Sequence, residues 1–249
     1  MRLRISPDSR ILLAVSFLLF VTYLLVTSQN YTYADDSLPF AISTWAGHAT
    51  IPHHLILSLL HELNLGLGHT GPGDVQVALQ TFKWYVACMS LLALVLMGQL
   101  SLRWFGSLRV ALITMLTVAF TYGYWCYSIV TDVYVEALAC VLLAVYLADR
   151  SYDDERPSRV YGALALAAVA TLFAAINHQS ECLVVVSIGA VLLFARAKQL
   201  SLGTRFRRAA VYVGLRARWA SRRSTRRTRR HIRPWISSRG SAATRRGCN

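Results

Sequence analysis

The sequence predicts an all-α, polytopic membrane protein with about six transmembrane helices, and three observations predict it. The 249 residues are 55% hydrophobic and only 15% charged, with a mean hydropathy of +0.43, whereas a soluble domain carries about a quarter charged residues. Apolar runs of roughly 17–25 residues, the length that crosses a bilayer, recur along the chain. The basic residues of the first 200 positions gather in alternate connections, the pattern that the positive-inside rule sets for a multi-pass protein.

The net charge of +14 belongs to the C-terminal segment alone. Residues 201–249 hold 15 Arg and no Asp, Glu or Lys; without them 11 basic residues face 12 acidic ones. No nucleic-acid partner is therefore expected. Five cysteines (Cys88, Cys126, Cys140, Cys182 and Cys248) show neither a CxxC pair nor zinc spacing. Within apolar runs cysteine behaves as a small hydrophobe, so no disulfide framework is expected.

Arg2, Arg4 and Arg10 precede the first apolar run, Ile11 to Thr27, and place the N-terminus in the cytoplasm. Thr27-Ser28-Gln29-Asn30 is no small-residue cleavage site, so the run is read as an uncleaved first span. The second span is Val75 to Leu100, with Trp84 and Tyr85 in an interface belt and Lys83 snorkelling outward. A turn with Arg103 and Arg109 leads to the third span, Val110 to Tyr122. An aromatic corner, Tyr122 to Glu136, precedes the fourth, Val133 to Ala148. The charged connection Asp149 to Arg159 follows, then the fifth span, Val160 to Ile176. The tight turn Asn177-His178-Gln179-Ser180-Glu181 opens the sixth, Cys182 to Ala195.

Residues 1–198 thus form one transmembrane region, and residues 199–249 an Arg-rich tail expected to be disordered. Two readings fit the tail. It is a cytoplasmic segment that touches anionic lipid, at roughly 1 kcal/mol per basic residue near the surface. Alternatively it is out-of-frame translation of a GC-rich gene, which yields such an Arg-rich, Lys-free, acid-free composition. The abrupt change after Lys198 favours the second.

The chemistry-bearing residues concentrate between the first and second spans. Tyr31 to Asp74 contains no Lys or Arg, the adjacent carboxylates Asp35 and Asp36, and five of the seven histidines. A carboxylate just outside a bilayer can act as a general base toward an acceptor hydroxyl; an ordinary solvated acidic turn is the plainer reading. Pro52 to Leu65 reads as a juxtamembrane amphipathic helix lying in the interface. Leu55, Ile56, Leu59, Leu60 and Leu63 fall on its apolar side, and His54, Ser58, His61 and Glu62 on the other. His53, His54 and His61 with a carboxylate are also the residue types of a divalent-metal site, although their spacing matches no zinc signature. Asp132 and Glu136, four apart on one helix face, and His178 should lie at the same outer ends of their spans. Ionisable groups at membrane depth are costly and usually face a cavity or a partner.

The order of these motifs resembles the GT-C superfamily of membrane glycosyltransferases, of the protein O-mannosyltransferase and lipid-A arabinosyltransferase type. In that resemblance Asp35-Asp36 is the acidic motif near the start of the first outside loop. Pro52-His53-His54-Leu55 is similar to a loop motif of one bacterial branch. Thr131 to Leu138 is similar to that branch's acidic, Tyr-containing entry to a later span, and Asn177-His178-Gln179 to its His-Gln turn. The resemblance covers roughly residues 11–198. It implies transfer of a sugar from a polyprenyl-phosphate donor, with inversion, on the extracytoplasmic side of a bacterial inner membrane. It also implies Asp35 or Asp36 as the base, and His53, His54, Asp132, Glu136 and His178 as substrate-site residues. Such enzymes have more spans than six, so this stretch corresponds to their N-terminal part. The alternatives are a transporter, which needs ionisable or broken-helix elements near the midplane, and a non-catalytic membrane scaffold with a lipid-binding basic tail.

Overall fold

A computed structural model describes residues 6–26, 55–68, 75–130, 133–153, 156–177, 184–194 and 201–215. The described residues form nine helices and no strand. They are α1 (Pro7–Val26), α2 (Leu55–Gly66), α3 (Val75–Phe105), α4 (Leu108–Ala119), α5 (Tyr122–Ile129), α6 (Tyr134–Arg150), α7 (Pro157–Asn177), α8 (Val184–Phe194) and α9 (202–215).

Local chemistry sets the helix ends. Pro7 and Pro157 open α1 and α7 at the first helical position, where the missing N–H costs nothing. Ser6 Oγ accepts the Ser9 N–H at 3.2 Å, capping α1. α3 stops at Gly106, whose φ of 64° lies in the left-handed region and whose N–H reaches the Leu102 carbonyl at 2.9 Å. Ser107 then caps α4 through the Val110 N–H.

Three helices are long and apolar enough to cross a membrane: Pro7–Val26, Gln76–Phe105 and Pro157–Ile176. Leu108–Ala119 with Tyr122–Ile129 makes a fourth if the pair is one span bent by 65°. The expected six is therefore reduced to three or four among the described residues. The third expected span breaks at Phe120 and Thr121. The fourth is 17 residues long and carries Glu136, Asp149 and Arg150. Over the described residues the sixth is 11 residues, about 16 Å against a hydrocarbon core of about 30 Å. Outward-facing Phe17, Leu18, Leu25, Ile113, Leu166, Val186 and Phe194 leave an apolar exterior, which suits a bilayer rather than water.

Side-chain contacts fix the helix directions. Ser9 Oγ donates to Gln99 Oε1 at 3.1 Å, and Tyr23 at the far end of α1 donates to the Ala119 carbonyl at 2.9 Å. Hence α1 runs antiparallel to α3 and alongside α4. Gly98 lets α1 approach: a Cβ there would meet Leu12 Cδ2 at 3.3 Å and Met115 Sδ at 3.5 Å. Tyr85 meets Glu136, while Arg103 pairs with Asp149 at 2.6 Å. So α3 and α6 run parallel and pack directly, with α7 on the other side of α6.

The bundle consequently has two chemically distinct ends. Arg10, Arg103, Arg109, Arg150, Arg156 and Arg159 all sit in first or last turns, or just before one, at the same end. The opposite end gathers Tyr23, Tyr85, Tyr124, Trp125, Tyr127 and Tyr134. Tyr23 packs edge-on against Trp125 at 5.1 Å, and Tyr127 lies 4.8 Å from Tyr134. The Tyr124 hydroxyl donates to the Ser90 carbonyl at 2.8 Å.

Three expectations about individual residues change. Lys83 does not snorkel outward; it is 2% exposed within the bundle. On α2 the buried side is Ile56, Leu57, Leu60 and Asn64, packed under Phe82, Val86 and Val133, whereas Leu59 and Leu63 face out. The expected apolar side, with Leu59 and Leu63 on it, is therefore turned toward Leu57 and Asn64. Asn64 holds it there: its amide donates to the Leu60 carbonyl at 2.9 Å and accepts from Thr81 at 3.1 Å.

The expected disordered tail also changes over its first part. Residues 202–215 are helical and docked. Arg205 donates to the Leu193 carbonyl and Arg208 to the Ser151 carbonyl, each at 2.6 Å. These are terminal carbonyls of α8 and α6, where a cation also meets the negative end of the helix dipole. Tyr212 is fully buried and shares a 2.8 Å hydrogen bond with Thr171. Composition concealed this because arginines that cap helices look, in sequence, like arginines in solvent. Residues 216–249 lie outside the described set.

Candidate functional site

Of the seven residues singled out as catalytic or substrate-binding, Glu136 alone lies among the described residues. Asp35, Asp36, His53, His54, Asp132 and His178 lie outside them. The segments that carry them are joined to α1 at Val26, to α2 at Leu55, to α5–α6 between Val130 and Val133, and to α7 at Asn177. All four junctions belong to the tyrosine end of the bundle.

Glu136 occupies the first turn of α6, where a carboxylate complements the helix dipole. It is 1% exposed. The Tyr85 hydroxyl, from α3, interacts with its carboxyl. Cys140, one turn further along α6, lies on the same helix face and interacts with both. Directly beside them Phe82, Val86 and Val133 meet Ile56, Leu57 and Leu60 of α2. This apolar cover holds the Glu136–Tyr85 pair out of water.

A second feature lies on the other face of α6. An open cleft of about 300 Å³ is lined by Tyr124, Tyr127, Tyr134, Val118, Val135 and Leu138, with little polar surface. Tyr134 and Leu138 fall well over a quarter-turn from Glu136 and Cys140 on the helix wheel. The structure therefore does not put the buried carboxylate and the aromatic cleft into one cavity. It puts them back to back on α6, at the same end of the bundle.

The other polar cluster is at the basic end. Asp149, 1% exposed, accepts from Arg103 Nε at 2.6 Å, and its Oδ2 lies 2.6 Å from Arg103 Nη2 as an ion pair. Arg103 also pairs with Asp153 at 2.9 Å, and Arg150 lies 3.6 Å from the same carboxylate. These residues lock α3 to the end of α6. Arg208 stacks over Tyr152 at 5.4 Å, and burial lowers its pKa from the ordinary arginine value, against the opposing effect of Tyr152 and Tyr161.

Sequence reasoning placed Tyr85 in an interface belt and Cys140 among small hydrophobes. Their spacing from Glu136 was visible only for Cys140, four residues on. Among the described residues no group of three or more His, Cys, Asp or Glu is placed to hold a metal ion; His53 and His54 lie outside them. His61 is half-buried on α2, and Glu62 is exposed. No family model, no curated protein and no solved structure matches this chain.

Proposed function

We propose that the chain is a membrane glycosyltransferase, or the N-terminal part of one, that uses a polyprenyl-phosphate-linked sugar at the tyrosine end of the bundle. One observation supports this reading above the others. The buried Glu136–Tyr85 pair and the tyrosine-lined cleft stand at the end where the chain enters and leaves the segments bearing Asp35, Asp36, His53, His54, Asp132 and His178. Between the two ends, and apart from Lys83, the described spans carry no Asp, Glu, Lys, Arg or His. A transporter, whose coupling sites lie near the midplane, is disfavoured because Lys83 is the one such side chain between the ends of the described spans.

In this reading Asp35 or Asp36 takes the proton from an acceptor hydroxyl as its oxygen attacks the anomeric carbon. The new carbon–oxygen bond forms on the face opposite the breaking bond to phosphate, and the polyprenyl phosphate leaves with that bonding pair. The configuration inverts. Glu136 is closed off from water, so it acts as a positioning residue, holding Tyr85 and the start of α6 beneath the reacting groups. The aromatic cleft supplies ring faces against which an isoprenoid chain or a sugar ring packs. Clustered arginines at the opposite end support a cytoplasmic location for that end, and so an extracytoplasmic site.

The test is saturable donor binding. Membranes containing the full chain are irradiated with a photoreactive polyprenyl-phosphate sugar. The reading predicts labelling of peptides from the tyrosine end that unlabelled polyprenyl phosphate competes away. Labelling that no competitor reduces would contradict it and leave the scaffold reading in its place.

A further inference from the structure

The depth of the tyrosine-lined cleft decides what it can hold. Trp84 and Trp104 are both half-exposed on α3 and stand 20 residues apart, about 30 Å of helix. That is the thickness of a hydrocarbon core, and tryptophans collect at its two boundaries. Trp104 marks the boundary at the basic end, and Trp84 the one at the tyrosine end. Ser90, whose carbonyl accepts from Tyr124 in the cleft wall, is six residues further in than Trp84, about 9 Å below that boundary. The other walls agree. Leu138 lies 11 residues from Asp149, and Val118 lies 11 residues from Ser107, so each stands about 16 Å above the basic end. The cleft therefore opens within the hydrocarbon of the leaflet at the tyrosine end, where water does not fill it.

Its shape and chemistry fit a chain. The 65° bend between α4 and α5 swings α5 off the line of α4 and leaves a wedge against α6. The rings of Tyr127 and Tyr134, 4.8 Å apart, are the more exposed part of the lining, and Val118, Val135 and Leu138 lie deeper. Gly123 lines the cleft too, and a Cβ added there would meet nothing within 4 Å. A sugar ring would bury hydroxyls against these side chains, at about 1–3 kcal/mol for each one left without a partner. Tyr124 offers little help, since its hydroxyl donates to the Ser90 carbonyl. A hydrocarbon chain meets no such cost. About 300 Å³ is at the small end of ligand pockets, room for a stretch of one chain and not for a two-chain lipid. An isoprenoid also carries a methyl branch on every unit, and these branches pack on ring faces.

We propose that the cleft seats the first isoprene units of the polyprenyl-phosphate donor, which enter sideways from the leaflet, while the sugar stays outside the cleft. This deepens the glycosyltransferase reading and rests on it. The phosphate of such a lipid stays at the boundary marked by Trp84, so the chain beneath it passes the depth of the cleft. The sugar is then left at the end where the segments bearing Asp35 and Asp36 join the bundle.

Two photoreactive donors test this on the full chain in proteoliposomes, one with a diazirine on the second isoprene unit and one with the diazirine on the sugar. The chain-borne probe should label peptides carrying Tyr127 and Leu138. Excess polyprenyl phosphate should compete that labelling away, and excess phosphatidylglycerol should not. The sugar-borne probe should label the tyrosine end outside the cleft. Gly123→Leu fills the open space and should cut the chain-borne labelling about tenfold. Gly162→Leu adds the same bulk at an exposed, open position near the basic end and should leave it unchanged. Tyr127→Ala removes a ring face without adding bulk and should cut it about threefold. Labelling of the cleft by the sugar-borne probe, equal competition by phosphatidylglycerol, or chain-borne labelling unchanged in either cleft variant would overturn the proposal and leave the glycosyltransferase reading standing. So would competed labelling confined to other parts of the tyrosine end. No competed labelling with either probe would overturn both.

Discussion

The Tyr85 hydroxyl lies against the buried Glu136 carboxyl across the interface of two parallel helices, α3 and α6. Removing one polar partner of a buried pair leaves the other unsatisfied, at about 1–3 kcal/mol. Glu136→Gln keeps the shape and an acceptor oxygen, whereas Tyr85→Phe removes the donor. We expect each single change to lower transfer by roughly 10- to 100-fold, and the double variant to lose little more than the worse single one. A double-mutant cycle on transfer rates checks this, and additive losses would show that the two residues act apart.

The Arg103–Asp149 pair makes a different prediction, about stability. Asp149 is 1% exposed and Arg103 16%, so removing the arginine strands a buried carboxylate, whereas removing Asp149 leaves Arg103 its Asp153 partner. Arg103→Ala should destabilise by roughly 3–5 kcal/mol, and Asp149→Asn by less. Replacing both with apolar side chains, Arg103→Met with Asp149→Leu, should recover most of that loss. Thermal unfolding of the detergent-solubilised protein measures all three.

Gly98 sets how closely α1 lies on α3. An added Cβ meets the flexible end of Leu12 at 3.3 Å, so Gly98→Ala needs only a small shift and should cost about 1 kcal/mol or less. Gly98→Leu forces side chains off their rotamers and should cost about 1–3 kcal/mol or more. Unfolding midpoints in one detergent compare the two.

Residues 201–215 should behave as part of the fold. Tyr212 is fully buried against Thr171. Tyr212→Ala is expected to cost about 3–5 kcal/mol by analogy with buried aromatic truncations, and Tyr212→Phe about 1 kcal/mol for the lost hydrogen bond. Deleting 201–249 should lower the unfolding midpoint, whereas deleting 216–249 should leave these contacts intact. A disordered or out-of-frame segment would give no change in any of these variants.

Much of the helix layout was legible in the sequence because apolar run length is a direct reading of helix length. Ile11 to Thr27 became Pro7–Val26, Val75 to Leu100 became Val75–Phe105, and Val160 to Ile176 became Pro157–Asn177. Tertiary pairing was not legible. Asp149 read as part of a solvated charged connection, yet it is buried against an arginine 46 positions away. Leu57 and Leu59 are indistinguishable by hydropathy, and packing under Phe82 chose the first. Arg205 and Arg208 looked like tail charge because the carbonyls they cap, at Leu193 and Ser151, are supplied by other helices. At the site, the ionisable residues were easy to mark, but Tyr85 gained its role only when α3 met α6.

The most direct measurement is sugar transfer by the purified full chain in proteoliposomes, supplied with radiolabelled polyprenyl-phosphate pentoses and hexoses and a membrane extract as acceptor. Wild type is compared with Asp35→Asn, Asp36→Asn and the double variant, each checked for normal membrane insertion. The proposed function predicts transfer by the wild type and its loss, by about 100-fold or more, in at least one single variant and in the double. Transfer retained in all three variants would remove the assigned base, and no transfer by an inserted wild-type protein with any donor would contradict the glycosyltransferase reading of this chain.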